Sequence, residues 1–126
     1  PKNIINELYK IKPPFNVNKL AQVYATESLK DKNFVNRSVK HNQYWSRKFK
    51  NFFDKKNIIS NETSANFFLL NFDFCKLSAN YVLKKLEKKG IILRSMESYK
   101  MKNKLRVTIG SSKENNKFIK NLDHIL

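Results

Sequence analysis

Lys104–Ile119, KLRVTIGSSKENNKFI, changes period in mid-course, and the rest of the chain arranges itself around that change. From Lys104 to Ile109 the residues alternate. Leu105, Val107 and Ile109 share one face and Arg106 and Thr108 the other, the pattern of a half-buried strand. Gly110 suits a tight strand-to-helix turn. Ser111 and Glu114, three residues apart, then form the capping-box signature of a helix start. Phe118, Ile119, Leu122 and Ile125 follow at helical spacing and predict its buried face.

Working back from this stretch, Ile91–Arg94 reads as another strand, with Ile92 and Arg94 on one face. Ala79, Val82, Leu83 and Leu86 recur at i, i+3, i+4, i+7 and predict an amphipathic helix that Gly90 ends as its C′ residue. Phe67–Phe72 is a short apolar run, most simply a central strand. Asp54–Asn61 is polar and lacks strong periodicity, so it reads as a loop with a short strand at Ile58-Ile59. Nearer the start, Ile4, Ile5, Leu8 and Ile11 predict a short helix stopped by Pro13-Pro14. Asn18 is the expected N-cap of the next helix, with Leu20, Ala21, Tyr24 and Ala25 as its buried stripe. Helical pattern continues past a break near Asp31 through Phe34, Val35, Trp45, Phe49 and Phe52. The expected fold class is α+β, a small sheet containing antiparallel strands packed against helices and preceded by a long connecting helix. Residues 1–56 form the helical connector in this reading, and residues 57–126 the small domain.

Bulk properties exclude some functions and leave others weak. With 126 residues, 40% of them hydrophobic and 13% aromatic, the chain has a core to bury and is unlike a disordered segment. No apolar run approaches the roughly 20 residues of a membrane span. The start, Pro1-Lys2-Asn3-Ile4, has neither a signal-peptide apolar region nor an initiator Met, so the chain is expected to begin inside a longer one. A lone Cys75 excludes an internal disulfide and fits a reducing cytoplasm, with the thiol acting as a small half-buried hydrophobe. The net charge of +16 invites a nucleic-acid-binding reading. Yet 22 of the 26 basic residues are Lys, scattered along every segment, which fits a solvated surface better.

Catalytic constellations are missing from the pattern. Only two glycines occur, Gly90 and Gly110, so no phosphate-cradling glycine loop is present. His41 and His124 lack metal-ligand spacing, and Ser64 reads as a turn or cap residue rather than a nucleophile. Two of the four arginines, Arg94 and Arg106, fall on or beside strands. A guanidinium grips carboxylate or phosphate with two parallel bonds, so such a pair suits an anion clamp. Strand-edge arginines reaching out to water are the alternative.

Four segments carry a family resemblance. Lys10–Gln22, KIKPPFNVNKLAQ, is similar to the segment by which histidinol-phosphate aminotransferases leave their large domain. Ser64–Leu69, SANFFL, resembles their strand entry, and Leu86–Arg94, LEKKGIILR, their L-x-x-x-G-I-x-x-R element. Leu105–Ile119 resembles L-R-[IV]-[ST]-[IV]-G-[ST]-x-x-[ED]-N-x-x-[FL]. The four occur in the family's order and span nearly the whole chain. Departures are Ser95 where an acidic residue is common, Ser111 for Thr and Lys113 for an acidic residue; none touches the two arginines.

The resemblance implies the small domain of a type I aminotransferase, with the long helix that joins it to a large domain. It implies pyridoxal phosphate held by that large domain, a homodimer, and amino transfer between glutamate and imidazole-acetol phosphate in histidine biosynthesis. It assigns the substrate carboxylate to Arg106 and the substrate phosphate mainly to Arg94, and it places no catalytic residue in this stretch. The Schiff-base lysine is expected upstream of Pro1, so this stretch alone is expected to be inactive. Another aminotransferase, or a related decarboxylase using the same cofactor, is the nearest alternative.

Overall fold

A computed structural model describes all residues from Pro1 to Leu126, and the chain divides into two compact units, Pro1–Arg37 and Ser38–Leu126. The first unit is helical. Helix α1, Lys2–Ile11, ends just before Pro13-Pro14. Helix α2, Lys19–Lys30, starts where Asn18 Oδ1 accepts the Ala21 N–H at 2.8 Å, the expected N-cap. The expected break at Asp31 is present, because its carboxylate accepts the Phe34 N–H at 2.8 Å and starts helix α3, Lys32–Lys55. The expectation of a buried stripe on α2 is wrong. Leu20 and Tyr24 are exposed, as are Ala21 and Ala25, and neither α1 nor α2 buries any residue. Periodicity defines an apolar face, but no second apolar layer within the unit covers this one.

The second unit holds the core. Helix α3 runs to Lys55, so its end takes the first residues of the expected loop. It inserts Trp45, Phe49 and Phe53, all fully buried. The Phe49 ring lies 5.5 Å from Phe53, 6.1 Å from Phe68 and 5.5 Å from Phe118, centroid to centroid, in tilted geometries that aromatic quadrupoles favour. Burying a side chain of this size contributes about 3 kcal/mol by area, so these residues of α3 are part of the core and more than a lead-in to it.

The sheet consists of β1 (Ile59–Ser60), β2 (Phe67–Asn71), β3 (Arg94–Ser95) and β4 (Lys104–Thr108), in the order β1-β2-β4-β3 with every pair antiparallel. Strand β2 is interior, as its apolar run predicts, but only one of its faces is buried. Phe68 opposes Val107 and Leu70 opposes Leu105 on the core side. Phe67 opposes Thr108 and Leu69 opposes Arg106 on the other. Helix α4, Ala79–Glu87, and helix α5, Ser112–Ile125, contribute Val82, Leu86, Phe118 and Leu122 to the core.

The strand expected at Ile91–Arg94 is corrected to Arg94–Ser95. Helix α4 ends in a Schellman pattern, in which the Gly90 N–H donates to Glu87 O at 2.9 Å and the Ile91 N–H to Leu86 O at 3.0 Å. Gly90, with φ of +67°, takes the left-handed turn this needs. The Ile91 amide is therefore committed to the helix end and unavailable to a sheet ladder. Pairing begins only at Arg94.

Candidate functional site

The face of the sheet turned away from the core carries the site. Period two sends Leu105 and Val107 inward and Arg106 outward, as the sequence requires. The register then sets Arg94 directly opposite Arg106 on β3. Opposed residues of an antiparallel pair project to the same face, so the expected pair of guanidinium groups is brought together. Like charges so placed repel one another unless an anion lies between or beside them.

Neither arginine has a carboxylate within 4 Å; the four ion pairs of the chain, Lys10–Glu7, Lys30–Glu27, Lys50–Asp54 and Lys56–Asp123, lie elsewhere. Arg106 stacks over the Phe67 ring, 5.3 Å from its centroid, and its Nε is buried without a hydrogen-bond partner. A buried donor left unsatisfied in this way is costly, which marks the group as one that awaits an acceptor. Arg94 donates through one Nη to the Tyr99 hydroxyl at 2.7 Å and lies over the same ring at 5.3 Å. Tyr99 ends a 3₁₀ turn, Glu97–Tyr99, between β3 and β4. Sequence reasoning missed both aromatic partners. The only sign of Tyr99 is its place five residues after Arg94.

A cavity of about 680 Å³ opens along β3 and β4, lined among others by Gly90, Arg94, Arg106, Thr108, Glu114 and Lys117. Its one carboxylate, Glu114, is already engaged. Glu114 accepts from the Ser111 hydroxyl at 2.7 Å and the Ser111 N–H at 2.8 Å, completing the expected capping box. Those two bonds, the side-chain one first, hold its carboxyl below the usual range. The cavity is thus cationic by two arginines and a lysine.

The turn that carries β4 into α5 is fixed from inside. Asn115, the one fully buried polar side chain, bonds to both the N–H and the carbonyl of Gly110. His41 Nε2 reaches the same carbonyl at 2.9 Å; a carbonyl only accepts, so that nitrogen carries the proton. His41 thus has a structural task, and no group of three or more His, Cys, Asp or Glu side chains gathers into a metal site. Cys75 is half-buried; burial first and Asp73 second push its thiol up, away from the thiolate that nucleophilic chemistry needs. Ser64 lies in a bend before β2. No helix is long and apolar enough to cross a membrane.

Residues 1–122 match the family described as aminotransferase class I and II. The histidinol-phosphate aminotransferase of Pelagibacter ubique (strain HTCC1062) is 59% identical over 120 residues, which are 94% of this chain and 33% of that protein. That of Campylobacter jejuni (serotype O:6, strain 81116) is 39% identical over 98% of this chain and 33% of its own length. This chain spans about a third of the length of the curated relatives it matches. Among solved structures, the histidinol-phosphate aminotransferase from Clostridium acetobutylicum superposes with a TM-score of 0.78 at 24% identity, covering 98% of this chain and 38% of that one. A decarboxylase from Sulfurospirillum multivorans gives 0.68 at 20% identity, over all of this chain and 37% of its own. At these identities the two structures speak for the fold.

Proposed function

This chain belongs to the class I and II aminotransferases, and from that premise we propose that it supplies the substrate-anion ligands of a histidinol-phosphate aminotransferase. One observation carries the reading. Arg94 and Arg106 are directly opposed on an open sheet face, neither with a carboxylate partner, and Arg106 Nε is buried without an acceptor. An anion with several acceptor oxygens satisfies both groups. Glutamate offers a carboxylate, and imidazole-acetol phosphate a phosphate, to the same pair in the two halves of an amino transfer. Arg106, set inside the sheet, serves both; Arg94, at the edge, serves mainly the phosphate. The relatives in Pelagibacter and Campylobacter are named histidinol-phosphate aminotransferases, which supports a phosphorylated substrate.

In the whole enzyme, residues 1–56 connect the small domain, residues 57–126, to a large domain while lending its core Trp45, Phe49 and Phe53, in a cytoplasmic homodimer of the histidine pathway. Pyridoxal phosphate, which this class of enzyme employs, supplies an electron sink when bound. The residues here do not form a place for it: no lysine of the chain is buried, and the one carboxylate of the cavity is held by Ser111. Binding and orientation of the substrate anion are the chemistry this chain performs. A decarboxylase using the same cofactor is the second reading, since the fold is shared with a decarboxylase; release of carbon dioxide in place of amino transfer separates the two.

The test is made on the full-length enzyme with both substrates. Arg106→Lys keeps the charge and loses the fork, so kcat/KM should fall about ten- to a hundredfold for glutamate and for the phosphorylated substrate. Arg94→Ala should damage the phosphorylated substrate far more. Equal losses in Arg94→Ala would undo the division of labour, and an unimpaired Arg106→Lys enzyme would undo the role of Arg106.

A further inference from the structure

Tyr99 lies outside everything assigned above, yet it is bound to the edge arginine in two ways. Its ring faces the Arg94 guanidinium at 5.3 Å and its hydroxyl oxygen accepts an Arg94 N–H at 2.7 Å. A phenol that accepts in this way still has its own proton, and that proton has no acceptor in the chain. The turn presenting it is closed on both sides. The Tyr99 N–H donates to Met96 O at 3.0 Å, the Lys100 N–H to Glu97 O at 2.9 Å, and the Met96 N–H to Lys104 O at 3.2 Å. Lys100 follows in the left-handed region at φ of +59°, a conformation a non-glycine residue adopts when its surroundings impose it. The backbone thus fixes the turn, and the Tyr99 ring, itself exposed, is held by its two contacts with Arg94.

Resting on the reading of Arg94 as the phosphate ligand, we infer that Tyr99 is a specificity-determining residue for the phosphate end of the substrate. The ring and hydroxyl keep the guanidinium over one spot. The free O–H is a further donor 2.7 Å from the arginine nitrogen, close enough for one anion oxygen to accept from both. A phosphate has three terminal oxygens to satisfy and a carboxylate two. An added neutral donor thus favours the phosphorylated substrate, without adding charge that would retain glutamate equally.

The experiment uses the full-length enzyme and compares wild type, Tyr99→Phe and Arg94→Ala with histidinol phosphate and with glutamate. Tyr99→Phe keeps the ring over Arg94 and removes the hydroxyl. Its KM for histidinol phosphate should rise about tenfold with little change in kcat, and the preference for histidinol phosphate over glutamate should fall by the same factor. Inorganic phosphate, as a competitive inhibitor of the glutamate half-reaction, should weaken in parallel. A purely structural role moves both substrates together and leaves the preference intact, which would overturn the inference. An unchanged Tyr99→Phe enzyme beside a damaged Arg94→Ala enzyme would also overturn it while leaving the arginine reading standing. Indifference of both variants would remove the Arg94 assignment itself.

Discussion

Asn115 and Gly110 clasp one another with two hydrogen bonds: the Gly110 N–H donates to Asn115 Oδ1 at 2.9 Å, and Asn115 Nδ2 donates back to Gly110 O at 2.9 Å. The clasp ties the first turn of α5 to the end of β4, four residues beyond Arg106. Asn115 is fully buried, so its amide has no water to fall back on. Asn115→Ala removes both bonds and leaves Gly110 N–H without its partner. Urea unfolding of the chain should show a loss of about 2–4 kcal/mol, as a lower midpoint with an unchanged slope. A midpoint within error of wild type would show that the turn is held by His41 and the capping box alone.

The capping box makes this turn sensitive to acid. Hydrogen bonds from the Ser111 side chain and backbone depress the Glu114 carboxyl below its ordinary value near 4.5. A depressed folded-state value means that the contribution is fully present above that ordinary value. It is lost as pH falls through the lower, folded one. Glu114→Gln keeps a shape that fits the cap but has no charge for Ser111 or for the helix N-terminus. Its deficit against wild type in urea unfolding should therefore be present at pH 7 and shrink steadily below pH 4.5. A deficit that stays constant over this range would assign the effect to shape in place of charge.

The helical first unit leaves apolar surface in water. Phe15 is 86% exposed, and Val17 and Leu20 beside it are exposed as well. Ile4, Ile5, Leu8 and Ile11 give α1 an apolar face of its own. Contiguous surface of this kind promotes association. The isolated chain should self-associate at micromolar concentration, with the weight-average mass in sedimentation equilibrium rising with loading. A monomer throughout the concentration series would show that these faces are not sticky enough to matter.

What was legible in the sequence was set by neighbours in the chain. The alternation at Leu105–Ile109, the Asn18 cap, the Asp31 break, the Gly90 turn and the Ser111–Glu114 box all depend on residues within a few positions, and all are present. What was missed depended on residues far apart or on what lies outside a face. Ile91–Leu93 look like strand, but the amide of Ile91 is consumed by Leu86. The stripe of α2 is apolar, but a helical period says nothing about what covers it. Arg94 and Arg106 stood out as arginines among lysines; that they are opposed follows from register, which no single strand pattern reveals. Phe67, 39 positions before Arg106 in the chain, becomes its neighbour only because β2 and β4 pair.

Phe67 provides the last expectation. Its ring lies under the Arg106 guanidinium, 5.3 Å from the centroid, on the partly exposed face where Arg106 Nε lacks an acceptor. Being two residues from Leu69, the residue opposite Arg106, it lies on the same face and sits diagonally to the arginine. The contact limits the poses open to the guanidinium. Phe67→Leu keeps an apolar residue of fair strand propensity and removes the π face. A cation–π contact at such a site is worth about 0.5–1 kcal/mol, so kcat/KM of the full-length enzyme should fall roughly two- to fivefold. Because Arg106 is proposed to serve both half-reactions, the loss should be equal for glutamate and for histidinol phosphate, in contrast to the one-sided loss expected of Tyr99→Phe. A one-sided loss in Phe67→Leu would place Phe67 against a single substrate and not under the shared arginine. If Phe67→Leu and Arg106→Lys are combined, their effects should be less than additive, since the ring can order only a fork that is there.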